Sequence, residues 1–119
     1  MRGDEKRIVD TFCVWLERNG WTVNREVDFI DVSATRGDEH LYAEAKGRTK
    51  AMGLDVDALY GQLLRRMPAN EVGKARFGVV VPREALSAAL RVPPRVRDLL
   101  HIDVFMVDER GQVAQVSGE

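Results

Sequence analysis

Two charged side chains stand within a stretch, LYAEAKG, that is otherwise typical of a buried strand. Glu44 and Lys46 are two positions apart, so in an extended chain both project from the same face of a sheet. A further acid, Asp31, lies upstream in the segment IDVSAT, and the turn RGDE joins the two segments. If these segments pair around that turn, Asp31 and Glu44 lie together at the far end of the hairpin, with Lys46 beside them.

Two carboxylates that converge repel each other unless a cation lies between them, and hard oxygen ligands of this kind suit Mg²⁺ or Mn²⁺. Such a cation with a neighbouring lysine is what phosphodiester hydrolysis needs, because charge develops on phosphorus and a water must be activated. Asp28 is an alternative first ligand, but its place directly after REV is typical of a turn, so we favour Asp31. The ordinary interpretation is a strand-end acid and a surface ion pair between Glu44 and Lys46.

The elements that would position these residues follow from hydrophobic periodicity. A helix is predicted over residues 4–19, and three strands follow it in the segments WTVNREV, DFIDVSAT and HLYAEAKG. The next apolar pattern has helical spacing and ends at Pro68; its members are Leu54, Val56, Leu59, Tyr60, Leu63, Leu64 and Met67. The run ARFGVVVP is typical of a strand buried on both faces, and short helices over REALSAAL and RVRDLL precede a final hairpin in DVFMVDERGQVAQV.

This order of elements predicts an α/β fold with a mixed central sheet. The three consecutive strands are expected to form an antiparallel meander, with helices before and after it on opposite faces. Because ARFGVVVP comes after a helical crossover, we expect it to lie parallel to a meander strand.

Composition limits what the chain can do. Its 119 residues suit a single domain, 1–119, and 18 basic against 19 acidic residues give a net charge of -1. Nucleic-acid binding would therefore depend on a local basic patch. The charged N-terminus, the single Cys13 and the lack of any run of about 18 apolar residues predict a cytoplasmic protein with no membrane span.

Taken together, the residues resemble the PD-(D/E)XK nuclease superfamily, which has the restriction-endonuclease-like fold. Asp31 in IDVSA, Glu44 and Lys46 match the three motif residues, and the likeness runs from the first helix through FGVVVP. Gln62 in YGQLLRR matches a glutamine that many members carry on the helix after the third strand. Several branches have a tyrosine four residues later, where this chain has Arg66, and Ile30 replaces the loosely kept proline before the first acid.

The resemblance implies an αβββαβ core and a Mg²⁺ or Mn²⁺ site made by Asp31, Glu44 and the backbone carbonyl of Ala45. Lys46 and Gln62 complete the implied catalytic set. Some members add an outer metal contact from the first helix, for which Glu5 is the better placed candidate here and Asp10 the alternative. The residues expected to hold a nucleic-acid backbone are Arg48, Lys50, Arg65 and Arg66.

Two functions follow from these expectations. The first is a metal-dependent nuclease, with DNA favoured over RNA; cutting both strands of a duplex with one centre per chain would favour a homodimer. The alternative is a catalytically idle module of the same fold that binds nucleic acid or a protein. In either case a separate targeting partner is compatible with so short a chain.

Overall fold

A six-stranded mixed sheet organises the protein, and its strands lie side by side in the order in which they occur in the chain. The computed structural model describes residues 3–117. The helices are α1 (Gly3–Arg18), α2 (Met52–Arg66), α3 (Leu86–Ala89) and α4 (Pro94–Leu99). The strands are β1 (Thr22–Val27), β2 (Ile30–Arg36), β3 (Glu39–Ala45), β4 (Arg76–Pro82), β5 (Ile102–Val107) and β6 (Val113–Val116).

The strand directions confirm the predicted topology. The first three strands form an antiparallel meander, and β4 lies parallel to both β3 and β5. Parallel neighbours need a crossover, and α2 supplies the one between β3 and β4. The last strand returns antiparallel to β5 as the predicted hairpin. The helix predicted over REALSAAL is shorter than expected, because its first residues form a 3₁₀ turn, Arg83–Ala85.

The two longest helices cover opposite faces of the sheet. Helix α1 packs Ile8, Phe12 and Leu16 against alternate residues of β2 and β3, while α2 packs Leu59 and Leu63 against the other face. The strand β4 contributes to both cores, which explains its nearly continuous apolar sequence. No helix within residues 3–117 is long and apolar enough to cross a membrane.

The apolar face predicted for α2 was too wide. Leu54 and Leu64 were expected to be buried, but they are exposed, Leu54 by 72%. The buried stripe consists of Val56, Leu59, Tyr60 and Leu63. Leu54 precedes Val56 by two positions, and residues two apart on a helix do not share a face.

A close contact at Gly47 determines where α1 begins relative to the end of β3. A β-carbon at this position would lie 2.3 Å from the backbone nitrogen of Glu5, which is too close for any side chain. The next residue, Arg48, donates its backbone N–H to the Asp4 carboxylate at 2.8 Å. The first turn of α1 is therefore held directly against the loop that leaves β3.

We expect Gly47→Ala to lower the free energy of unfolding by about 1–3 kcal/mol, because the clash is with backbone atoms that cannot rotate away. Chemical denaturation monitored by circular dichroism measures the change. Gly61→Ala is the matched control: its β-carbon would meet only the flexible Arg65 Nη1, at 3.4 Å, within α2. Alanine there should stabilise the protein by up to about 1 kcal/mol. Equal effects of the two substitutions would contradict the close contact.

Candidate active site

The strands β2 and β3 part where the predicted acids lie. Their Cα pairing ends at Val32 and Ala43, so Asp31 and Glu44 are the next residues beyond the ladder. There the side chains replace backbone acceptors: the Asp31 N–H donates to Glu44 Oε2 at 3.0 Å, and the Ala45 N–H donates to Asp31 Oδ2 at 2.9 Å. Each carboxylate is thus held by the backbone of the opposite strand.

The other side of β3 stays in the sheet. Glu44 pairs with Val79 in the parallel register of β4, and the Lys46 N–H donates to the Val80 carbonyl at 3.0 Å. The end of β3 is therefore fixed by β4 even though β2 has separated from it. By alternation along β2, Asp31 and Ser33 lie on the face opposite the one that Val32 gives to the α1 core.

Burial raises the pKa of both acids, Asp31 and Glu44. Glu44 is only 1% exposed. Burial is the main cause that raises its pKa, the charge of Asp31 adds to the rise, and the Asp31 N–H and Arg66 oppose it. The pKa of Asp31 is raised in the same way, chiefly by burial and against the Ala45 N–H. Ionising both carboxylates thus costs free energy, which a cation beside them would offset.

Arg66, in the last turn of α2, supplies a positive charge to this pair. Its Nη1 lies 2.5 Å from Glu44 Oε1, and its side chain is 35% exposed against 1% for Glu44. We had expected Arg66 to contact a nucleic-acid backbone. The structure gives it a partner inside the site, and the phosphate contact stays a prediction.

Lys46 faces the first turn of α1, where Glu5 lies. Its Nζ is 4.0 Å from Glu5 Oε1. The pKa of Glu5 is raised by burial first and then by the charge of Asp31, and Lys46 lowers it, so Glu5 is within electrostatic range of both residues. Asp10, the alternative, instead pairs with Lys6 and Arg25 at the surface, at 2.7 and 2.5 Å. The structure places Glu5, and not Asp10, beside the site.

Gln62 lies one turn before Arg66 on the same face of α2, since residues four apart are neighbours on a helix. It is half-buried, and its amide makes no side-chain hydrogen bond within residues 3–117. The amide therefore keeps both donor and acceptor for a ligand. Asp28, the alternative metal ligand, has φ 52° in the turn between β1 and β2, as its sequence context predicted.

The remaining basic residues of the predicted patch differ from one another. Arg48 pairs with Glu84 at 3.0 Å, and both side chains are exposed, so the pair contributes little to stability. Lys50 and Arg65 are exposed and form no ion pair within the described part of the chain. Lys50 and Arg65 are thus the two cations of the predicted patch that form no ion pair with an acid of the described residues.

A divalent cation suits the donor types at this site. Within residues 3–117 no three His, Cys, Asp or Glu side chains are grouped so that they could hold a metal ion. Asp31 and Glu44 are a pair, and the Ala45 carbonyl is the further oxygen that the sequence predicted. Two desolvated carboxylates whose pKa values are raised fit a hard cation, because it favours their ionised forms.

Sequence reasoning missed three features of this region. Gly47 follows the motif directly, and a glycine just past a strand is a signal of close backbone approach. The contact between Arg66 and Glu44 left no signal in the sequence. The turn Asp28–Phe29 has positive φ at both residues, and an aromatic residue in a two-residue turn would have been a clue.

The architecture is the restriction-endonuclease-like α/β fold, as predicted: the αβββαβ core contains a mixed sheet with an antiparallel meander, flanked by helices. An XisH family protein from Nostoc punctiforme PCC 73102 has a similar structure, with a TM-score of 0.62 and 18% identity over 91% of this chain and 96% of that one. An fdxN element excision controlling factor protein from Anabaena variabilis gives a TM-score of 0.64 and 17% identity over 93% and 95% of the two chains. Identities this low show a shared fold alone.

Neither a protein-family model nor a curated protein matches the chain.

Replacing Arg66 by alanine should destabilise the protein, because Glu44 would remain buried without its counter-charge. We expect a loss on the order of 1–3 kcal/mol in the free energy of unfolding at neutral pH. Arg65→Ala, next to it but exposed and without an ion pair in the described residues, should change stability by less than about 0.5 kcal/mol. Urea denaturation of both variants tests this, and equal effects would contradict the role of Arg66.

The free energy of unfolding should depend on pH in the way expected for a carboxyl group, that of Glu44, whose pKa is raised in the folded state. A carboxyl whose folded pKa is raised stabilises the fold below its unfolded pKa and loses that contribution as pH rises through the folded pKa. Relative to the wild type, Glu44→Gln should therefore gain free energy of unfolding between about pH 4 and pH 7. These measurements are made without divalent cations.

Glu84→Gln is the control of opposite sign. A backbone hydrogen bond is the main cause that lowers the pKa of Glu84, so relative to the wild type that variant should lose stability as pH rises toward the unfolded pKa of about 4.3, and the difference should stay constant above it. Parallel pH profiles for the two variants would contradict the raised pKa of Glu44.

Proposed function

We propose that the protein is a metal-dependent nuclease of the PD-(D/E)XK type that hydrolyses phosphodiester bonds in nucleic acid, with DNA favoured over RNA. One observation carries this proposal. Where β2 and β3 part, Asp31 and Glu44 each accept a backbone N–H from the opposite strand, and Lys46 follows at the same end of β3. This arrangement holds two carboxylates in one place although both have raised pKa values.

The Asp31 and Glu44 carboxylates, with the Ala45 carbonyl, would hold Mg²⁺ or Mn²⁺. When bound, such a cation polarises a phosphoryl oxygen and lowers the pKa of a coordinated water. The chain's own residues would supply positioning and charge around it.

Lys46 is the residue proposed to orient the attacking water and offset negative charge on phosphorus. Its ammonium group is partly exposed and lies 4.0 Å from Glu5 Oε1. That distance allows an ionic contact that restrains the Lys46 side chain. Glu5 is thus proposed as a positioning residue for Lys46, and as the outer acid of the site.

Arg66 contacts Glu44 from α2, and Gln62 lies one turn before it on the same helix. The Gln62 amide is proposed to steady the water or a phosphate oxygen. Arg66 uses Nη1 for Glu44, and a guanidinium has five N–H donors, so the others can contact phosphate.

Lys50 and Arg65, with Arg48, are proposed to hold the phosphate backbone, which makes affinity depend on salt but not on sequence. With a net charge of -1 the whole molecule does not attract nucleic acid, so this patch has to do so locally. One protein that shares the fold is described as an excision controlling factor, a role compatible with a DNA substrate. For cleavage of both strands of a duplex we propose a homodimer, because each chain has one candidate centre.

A second function, an idle binding module, is favoured by two observations. Arg66 already neutralises Glu44 Oε1, and within residues 3–117 no third acid joins the pair as a metal-binding group. In that case the same face would dock nucleic acid or a protein without cleaving anything.

We expect the purified protein to cleave at least one of plasmid, single-stranded or branched DNA in Mg²⁺ or Mn²⁺. Lys46→Ala should lower the single-turnover rate about 100-fold or more, because charge stabilisation and water positioning are lost. Lys74→Ala, at an exposed lysine that forms no ion pair in the described part of the chain, is the matched control and should leave the rate unchanged. Cleavage that survives Lys46→Ala would overturn the proposed mechanism.

Calorimetric titration with Mg²⁺ separates the two functions. An active site should bind Mg²⁺ in the wild type and lose that binding in Glu44→Gln. Equal weak binding by the two proteins, together with no cleavage of any substrate, would identify an idle module.

A further inference from the structure

Phe29 is the most exposed large apolar side chain among residues 3–117, with 85% of its surface accessible. It stands at the tip of the hairpin that joins β1 and β2, where Val27 pairs with Ile30 and only two residues form the turn. An exposed aromatic ring at this position gives no packing energy to the core. The ring is therefore accessible to a ligand.

The backbone at this tip is also unfavourable. Asp28 and Phe29 have φ angles of 52° and 68°, the left-handed region that glycine and asparagine adopt at little cost. Glu26, before the turn, has φ 54° and stands opposite Asp31, where the regular pairing of β1 and β2 is interrupted. Strained residues of this kind cluster at functional sites, which makes the tip a candidate contact for a ligand.

The tip borders the candidate active site. A concave surface of about 620 Å³ is lined by Glu26, Asp28, Phe29, Asp31 and Arg66. The ring therefore belongs to the same hollow as the first motif acid, Asp31, and the guanidinium that contacts Glu44. A ligand that fills this hollow would touch both.

Around the ring, the charges of the hollow disfavour a phosphate. Glu26 and Asp28 are acids that lie with Phe29 in this lining, and the one guanidinium there, that of Arg66, is held at Glu44. Carboxylates accept hydrogen bonds from the amino groups of nucleobases, as Asp and Glu do from N4 of cytosine. An aromatic face stacks on a base of any kind. A nucleobase therefore fits the hollow, while the phosphates would follow Lys50 and Arg65.

A base can reach Phe29 only if it has left the stack of its own duplex. We propose that Phe29 stacks on an unpaired nucleobase next to the scissile phosphate, with Glu26 and Asp28 as acceptors for its amino group. This inference rests on the proposed nuclease function and narrows its substrate to nucleic acid with an unpaired nucleotide, such as a bulge, a flap, a junction or a single strand.

Fluorescence anisotropy with a short labelled DNA duplex that carries one unpaired cytosine tests this, with the fully paired duplex for comparison. Titrations in EDTA measure binding alone, because the chelator removes the divalent cation that the proposed cleavage requires. The wild type should prefer the unpaired cytosine, and Phe29→Ala should weaken that binding about tenfold or more while the paired duplex is hardly affected. Phe29→Trp should retain the preference. Leu99→Ala, which removes an apolar side chain of similar exposure, 74%, should change neither affinity.

Phe29→Gly is the control for the possibility that Phe29→Ala weakens binding only because the protein unfolds. Glycine suits the positive φ, so this variant should raise Tm by several degrees and still lose the preference for the unpaired cytosine. A variant that is more stable but binds less can only have lost a contact with the ligand.

The outcomes distinguish this inference from the proposed function. Phe29-dependent binding without any cleavage by the wild type would overturn the catalytic proposal alone. Cleavage together with unchanged binding by Phe29→Ala would overturn the stacking proposal alone, and so would an equal loss on both duplexes. A Phe29→Ala effect confined to the oligomeric state in solution would assign the ring to a second copy of the chain and also overturn it.

Discussion

The exchange of backbone hydrogen bonds for carboxylate hydrogen bonds at the end of β2 and β3 determines the arrangement of the whole site. A strand pair that simply ends leaves N–H groups to water, and here the N–H groups of Asp31 and Ala45 are bonded to Glu44 and Asp31 instead. The two carboxylates are held by backbone N–H groups at the ends of two strands of the sheet. The sheet thereby orients groups whose mutual repulsion would otherwise separate them.

The helices complete the site from its two sides, and each does so through one particular residue. Gly47 has no side chain, so the first turn of α1 reaches the end of β3 and places Glu5 near Lys46. From the other face, α2 ends with Arg66 against Glu44. The lysine and the buried glutamate thus have separate partners of opposite charge, and the Glu44–Lys46 ion pair suggested by their spacing is not the contact that either one makes.

The hairpin tip beside the site contributes little to the stability of the fold, unlike the strands that hold the acids. Its left-handed backbone at Asp28 and Phe29 and its exposed ring both lower stability. An acid pair held by the backbone next to a strained, exposed aromatic tip is compatible with the proposed nuclease site and its proposed unpaired nucleotide. The same short segment, from Glu26 to Asp31, contributes to both.

Hydrophobic periodicity and turn residues were sufficient to predict the order of elements, the antiparallel meander and a parallel neighbour for one of its strands, because these depend on local pattern and on chain connectivity. The same reasoning placed Asp31 and the Glu44–Lys46 region at one end of the hairpin, since register follows from the short turn between their strands. The tertiary structure alone decided which acid of α1 lies near Lys46, that Arg66 pairs with Glu44, and that Phe29 shares a hollow with Asp31. These contacts join residues that are distant in the chain or on different elements, and their geometry depends on how the helices pack against the sheet, which no local pattern encodes.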